Sequence, residues 1–212
     1  RCTSSAASDV YKRQPEENYG KALVYVEVLQ TKGDAPAALK KIFAQIRNDH
    51  ANLPTEVFYR CHSDHGTEFI NQDLHEYCLK HGIHQTSTTG YDPNANEAEP
   101  AVGAVKRRAR YLLSGARLPT KWWGMAVLAA AQLMRAEAGL EAHPKIPFGT
   151  RVMINIDPKP KSDWLPRAFP GTIFGPCAER TGALWTYQNG HVKARSNIQP
   201  QGVTDQDIQW IK

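Results

Sequence analysis

The chain has 212 residues, and no apolar run in it approaches eighteen. That leaves no candidate for a membrane-spanning helix. Its first residues carry no basic segment followed by an apolar stretch, so no signal peptide is legible. An intracellular protein is the expectation. Cysteine is sparse: only Cys2, Cys61, Cys78 and Cys177 occur, and no two are closely spaced. That spacing excludes a zinc knuckle and favours buried thiols over a disulfide framework. His62, His65, His81 and His84 also lack compact zinc spacing, so structural or solvent roles are the plainer reading. What the chain does have is a modest basic excess. Lys and Arg number 26 against 21 acidic residues, a formal charge of +5, and the sequence pI is about 9.0. Such a surface suits a polyanion without proving one. Hydrophobic content of 41% and charged content of 22% are ordinary for a globular protein.

Residues 1–14 are small, polar and aperiodic, and they read as a non-native or disordered leader outside the fold. Asp9 within it has no apolar strand around it. Ala22–Leu29 is rich in valine and reads as a strand. Asp34–His50 reads as a helix that buries Leu39, Ile42, Phe43 and Ile46, with Lys40, Lys41 and Arg47 on a solvated face. Leu118-Pro119 precedes a further helix. There Trp123, Ala126, Val127, Ala130, Leu133 and Met134 are helically spaced, and both Trp122 and Trp123 read as packing anchors.

From Glu141 onward prolines punctuate short β-prone pieces. Arg151–Ile156, Gly171–Phe174, Leu184–Tyr187 and His191–Ala194 are the expected strands. Thr181-Gly182 and Asn189-Gly190 are the turn signals between them. A small β-rich module over 141–200, barrel-like in character, and a polar tail over 201–212 follow. Arg167, Lys193 and Arg195 on it are candidate DNA contacts or plain charged strand faces.

The densest chemistry lies in residues 57–110. An apolar run, Val57-Phe58-Tyr59, leads into Cys61-His62-Ser63-Asp64. That places Asp64 at the carboxyl end of a strand, where open α/β sheets put their reactive groups. A helix pattern follows, then a short polar strand from Ile83 to Thr88, then a turn-rich loop from Gly90 to Asn96. Glu99 opens a basic helix. Ala98, Ala101, Val102, Val105, Ala109, Leu112 and Leu113 form its apolar side. Glu99, Gly103, Lys106 and Arg110 form a second stripe, suited to a metal beside a phosphodiester backbone. A capping box from Asn96 to Glu99 is the bland alternative for the glutamate. A solvated basic face is the alternative for Lys106, Arg107, Arg108 and Arg110.

The run Ser63-Asp64-His65-Gly66-Thr67-Glu68-Phe69 comes first. Gly82-Ile83, Tyr91-Asp92-Pro93-Asn94-Ala95-Asn96 and Ala98-Glu99 follow in order. Together they resemble the catalytic core of retroviral and retrotransposon integrases, with the copia type nearest. The resemblance spans roughly Ala22 to Pro200. It implies an α/β, RNase H-like core over residues 15–140, followed by the β-rich module. It implies three metal-binding carboxylates, with Asp64 the second and Glu99 the third, and Mg2+ or Mn2+ as cofactor. It also implies double-stranded DNA as partner, a homo-oligomer in the intact parent, and a nuclear location in a eukaryote. His65, Tyr91, Asn94 and Asn96 become candidate nucleic-acid contacts in the loop that approaches DNA, alongside Lys106, Arg107 and Arg110.

Two departures accompany the resemblance. Thirty-four residues lie between Asp64 and Glu99, one fewer than the family spacing. The family's loop glycine after the asparagine is missing, because Asn96 runs straight into Glu97. One deletion explains both. No paired His and Cys of the family's zinc-binding domain precede the core. Leu29-Gln30-Thr31-Lys32 resembles the end of the family's third strand, so the first two strands and the first catalytic aspartate are expected upstream. Glu27 is only a weak substitute for that aspartate. The expectation is an integrase parent with an inactive fragment. An RNase H-like nuclease, a non-catalytic DNA-binding remnant and a purely structural domain remain the rivals.

Overall fold

The computed structural model describes the backbone of residues 9–10 and residues 23–50, 60–63, 71–87, 98–162, 164–177, 180–188 and 190–201. The protein is a mixed α/β core followed by a β-rich module. Its chain divides into two compact units. One comprises Arg1–Arg108 with Ala130–His143, the other Ala109–Ala129 with Pro144–Lys212.

In the first unit, helix α1 covers Ala35–Asp49 and carries a proline near its start, where the missing N–H costs nothing. Leu39, Ile42, Phe43 and Ile46 are each no more than 3% exposed, as their spacing predicts. Strand β2 is Arg60–Ser63, helix α2 is Gln72–Lys80 and strand β3 is His84–Ser87. Asn71 caps α2, its side chain accepting from the backbone N–H of Asp73 and Leu74. Gly82 then turns the chain at φ 66°, a conformation glycine adopts without strain. There the Ile83 N–H donates back to the Cys78 carbonyl at 2.8 Å. β2 and β3 pair in parallel, with Cys61 opposite Gln85 and Ser63 opposite Ser87. Cys61, Leu74, Cys78 and Ile83 join the α1 stripe and Tyr25 in one apolar cluster. Cys61, Cys78 and Cys177 are buried, and burial raises the pKa of the Cys78 thiol. β1, Asp9–Val10, lies antiparallel to β2 with Asp9 opposite His62. Asp9 thus has a strand around it, contrary to the sequence reading.

The expected strand over Ala22–Leu29 is not one: residues 23–29 pair with no described strand. Its backbone is served by a side chain instead. Arg135, only 8% exposed, donates from Nη1 to the Val24 carbonyl at 2.8 Å. The same guanidinium donates from Nε to Glu141 at 2.6 Å and lies 4.8 Å from the Tyr25 ring centroid. The Tyr25 hydroxyl donates to Asp49 at 3.0 Å. Burial, then that carboxylate, raises the tyrosine pKa. A guanidinium can do this because its donors fan out in a plane.

The polar face of α1 is not merely solvated either. Lys40 pairs with Asp73 and Lys41 with Glu27. Arg47 reaches the carbonyl of His81 at 3.0 Å and its Nδ1 at 2.8 Å. That second contact needs neutral histidine as the acceptor. Loss of hydration, then Arg47 and Lys80, lowers the His81 pKa.

In the second unit, β4 (Arg151–Asn155), β5 (Ala168–Pro176), β6 (Leu184–Gln188), β7 (His191–Arg195) and β8 (Ile198–Pro200) form one antiparallel sheet. Its order is β7-β6-β5-β4-β8. β8 is the strand the sequence did not reveal, and β7 and β8 stay as edges. Val152, Ile154 and Ile173 are fully buried. Gly171 sits opposite Val152, and a Cβ there would run into the Ile154 side chain. Trp122 packs against Phe174 and Tyr187, each at 4.8 Å between ring centroids. Trp123 is 40% exposed, so only the first of the two tryptophans is an anchor. Helix α3 is Ala98–Gly115 and helix α4 is Trp123–Glu137.

Arg135→Met leaves the Val24 carbonyl and Glu141 without their donor. We expect it to cost on the order of 1–3 kcal/mol in urea unfolding. Amide exchange should speed up first around residues 23–26. His81 gives a pH signature. Its folded pKa lies below the unfolded value, so the unfolded chain takes up the proton first. Stability should therefore fall as pH drops below about 6.5 and level off below the folded pKa. His81→Asn, which keeps an acceptor near Nδ1 but does not titrate, should flatten that part of the stability–pH curve.

Candidate active site

The site expected from the sequence has two halves. The first is the carboxyl end of β2. Its apolar residue Cys61 points into the core, while Arg60 and His62 occupy the other face. Arg60 Nε donates to Thr86 Oγ1 at 3.0 Å, and His62 Nδ1 lies 2.8 Å from the same oxygen. His62 therefore acts as a cross-strand partner of Thr86, its register neighbour. His81 is held by Arg47, and His84 is exposed at the start of β3. The histidines that can be placed have structural or solvent positions, as the sequence suggested. Asp64 follows Ser63 directly, but it lies outside the described residues. So do His65, Tyr91, Asn94 and Asn96.

The second half is the start of α3. Glu99 stands in its first turn and is exposed. Pro100 follows it, at a position where the proline leaves no helical hydrogen bond unmade. Val105, Ala109 and Leu113, on the flank of this stripe, are buried. Lys106 lies about 10 Å and Arg110 about 16 Å further along the helix axis than Glu99, both within about 20° of its azimuth. Both are exposed, as is Arg107. The stripe of one carboxylate and two cations read from the sequence is therefore open to solvent.

Arg108 is different. Its Nη1 donates to Glu137 at 2.6 Å, and that bond raises its pKa. It belongs to a surface ion pair, its charge met by Glu137. Glu27, the weak substitute carboxylate, is paired with Lys41 at 2.8 Å. Among the described residues no three His, Cys, Asp or Glu side chains gather as a metal-binding group. Glu99 is the described part of the expected carboxylate set, and its convergence with Asp64 falls outside what can be placed. No described helix is long and apolar enough to cross a membrane.

Sequence reasoning missed Arg135 and Trp164. A lone arginine on an alanine-rich helix carries no signal of its buried role. Trp164 does carry one, because it stands between lysines and prolines in a turn-rich stretch.

No family model matches the chain. It is similar to a retrovirus-related Pol polyprotein from transposon TNT 1-94 of Nicotiana tabacum. The two are 27% identical over 125 residues, covering 58% of this chain and 9% of that protein. It is also similar to the truncated transposon Ty1-A Gag-Pol polyprotein of Saccharomyces cerevisiae. That match is 30% identical over 143 residues, covering 57% of this chain and 11% of the relative. The chain thus spans about a tenth of the length of these relatives. Among solved structures it is similar to a chain of the simian T-cell lymphotropic virus intasome bound to a PP2A regulatory subunit. Identity there is 13% and the TM-score 0.44, with 91% of this chain and 76% of that one covered. It is similar, too, to the HTLV-2 integrase catalytic core domain in complex with magnesium, trimeric form. Identity is 16% and the TM-score 0.36, covering 57% and 79% of the two chains. Likeness at those TM-scores places no residue of a site. The sequence matches make the chain a distant relative of retrotransposon Pol and Gag-Pol polyproteins over more than half of its length.

Proposed function

We propose that this chain is the catalytic-core segment of a retrotransposon integrase of copia type, acting within a longer polyprotein product. Its reaction is metal-dependent phosphoryl transfer on duplex DNA, by end processing and strand transfer. The observation that carries the reading is the match to retrotransposon Pol polyproteins over 58% of the chain. The motif from Ser63 to Phe69 and the Asn96–Glu99 junction narrow it to an integrase.

In this reading Asp64 and Glu99 supply hard oxygen ligands for Mg2+ or Mn2+. Glu99 fits that role, being an exposed carboxylate on a first helical turn. Divalent cations held there would supply Lewis-acid activation of the phosphodiester and of the attacking hydroxyl. Lys106, Arg107 and Arg110 bind the phosphate backbone beyond the carboxylate and set the duplex along α3. His65, Tyr91, Asn94 and Asn96 contact nucleic acid from the preceding loop. The working form is a homo-oligomer, located in the nucleus of a eukaryotic host.

Two measurements test this. Mn2+ should raise the melting temperature of the full chain, and Asp64→Asn and Glu99→Gln should each abolish the rise. A rise that survives both changes refutes the ligand assignment. Duplex binding should weaken with salt along a log-log line of about −0.9 per phosphate neutralised. Lys106→Ala with Arg110→Ala should make that slope shallower by about 2. Salt-independent binding, or an unchanged slope, removes the helix from the interface. In a catalytic assay, joined products mark an integrase, while cleavage without joining marks an RNase H-like nuclease.

A further inference from the structure

The loop between β4 and β5 carries the most exposed large apolar side chain among the described residues. Trp164 is 96% exposed, and Leu165 beside it is 54% exposed. The loop is closed at its base, because Ile156 N–H donates to the Arg167 carbonyl at 2.8 Å. Asn155 pairs with Ala168 just below. Its tip is a turn built on Ser162. The serine hydroxyl accepts from Trp164 N–H at 3.4 Å, and its carbonyl accepts from Leu165 N–H at 3.3 Å. Pro158, Pro160 and Pro166 restrict the backbone on both sides. An indole is thus held out in water on a stiffened support.

The loop carries Lys159, Lys161 and Arg167 against Asp157 and Asp163, a net charge of +1. Lys159 and Lys161 are both exposed, and neither has an ion-pair partner among the described residues. Among the described residues no ring or cation lies against the aromatic face of Trp164. A tryptophan alone would fit any apolar partner. A tryptophan that follows two exposed lysines fits a partner that offers flat apolar faces and negative charge at regular spacing.

We infer that this loop is a stacking platform for single-stranded nucleic acid. Trp164 stacks on one unpaired base, and Lys159 and Lys161 hold the phosphates beside it. Every base has a π-face, so recognition of this kind is independent of sequence. A duplex cannot use it, because its bases are already stacked on each other. The stiff support lowers the ordering cost of binding. The inference does not depend on the roles proposed for Asp64, Glu99 or α3.

The test uses the full chain and the fluorescence anisotropy of a labelled mixed-sequence 12-nucleotide single strand. A duplex of the same length, an acidic peptide and anionic phosphatidylserine vesicles are measured in parallel. Trp164→Ala should weaken single-strand binding by about tenfold or more, and Trp164→Phe should restore most of it. Lys159→Ala with Lys161→Ala should make the salt slope on the single strand shallower by about 1.4. Duplex binding should be unchanged by Trp164→Ala, while it still responds to Lys106→Ala with Arg110→Ala. Because Trp164 is on the surface, its variants should melt with the parent. Equal single-strand affinity for parent and Trp164→Ala overturns the inference. Equal losses on duplex and single strand also overturn it, as does a tryptophan effect confined to the peptide or to the vesicles.

Discussion

The parallel ladder between Arg60–Ser63 and His84–Ser87 is the constraint on which the first unit depends. Parallel strands cannot be joined by a tight turn, so the chain must leave the sheet, cross over and return. Helix α2 makes that crossing. Its cap at Asn71 and its glycine exit at Gly82 fix where it begins and ends. The crossing buries Leu74 and Cys78 against the α1 stripe, and it sets Ser63 at the end of its strand. The position of Ser63 at the end of its strand is thus a consequence of core packing several residues away. The strands are polar, and their hydrogen-bonded pairs lie on the face away from the core. The ladder is held by α1 and α2 more than by its own side chains.

The segment at residues 23–29 shows how a β-prone sequence behaves when no described strand pairs with it. Its valines and tyrosine favour extended backbone, but a strand exists only as a pair. Arg135 substitutes for a fraction of that pairing, through one carbonyl and one ring. The arginine's charge is met by Glu141, which is itself only partly exposed. A lysine would offer a point charge without the fork that makes these contacts at once. Tyr25 and Asp49 then anchor the same segment to the end of α1.

Charge is distributed unequally in function as well as in position. Arg47, Arg108 and Arg135 are spent on internal partners, and the partners lower or raise pKa values nearby. Lys106, Arg107 and Arg110 face water along one helix, and Lys159 and Lys161 face water in one loop. The net positive charge therefore overstates some regions and understates others. What matters for a polyanion is which cations remain available, and that depends on tertiary partners.

Local pattern and turn signals determined α1, α2, α3, α4, β3 and four of the five strands of the β-rich module. Those signals are local, because an amphipathic helix or a hairpin with Asn189-Gly190 carries its pattern within a few residues. Glu99, Lys106 and Arg110 were legible as one stripe for the same reason. The ordered motif from Ser63 to Glu99 suggested a chemistry that no composition could. Tertiary structure decided the rest. Whether Leu23–Leu29 became a strand depended on a partner, not on its own residues. β8 is three residues long and exists only because β4 offers an edge. Which of Trp122 and Trp123 packed against other rings depended on the turn before α4 and on Phe174 and Tyr187. Arg108 and Arg110 look alike in sequence, yet among the described residues Arg108 pairs with an acid and Arg110 does not, because Glu137 lies twenty-nine positions from Arg108 along the chain but within reach in space.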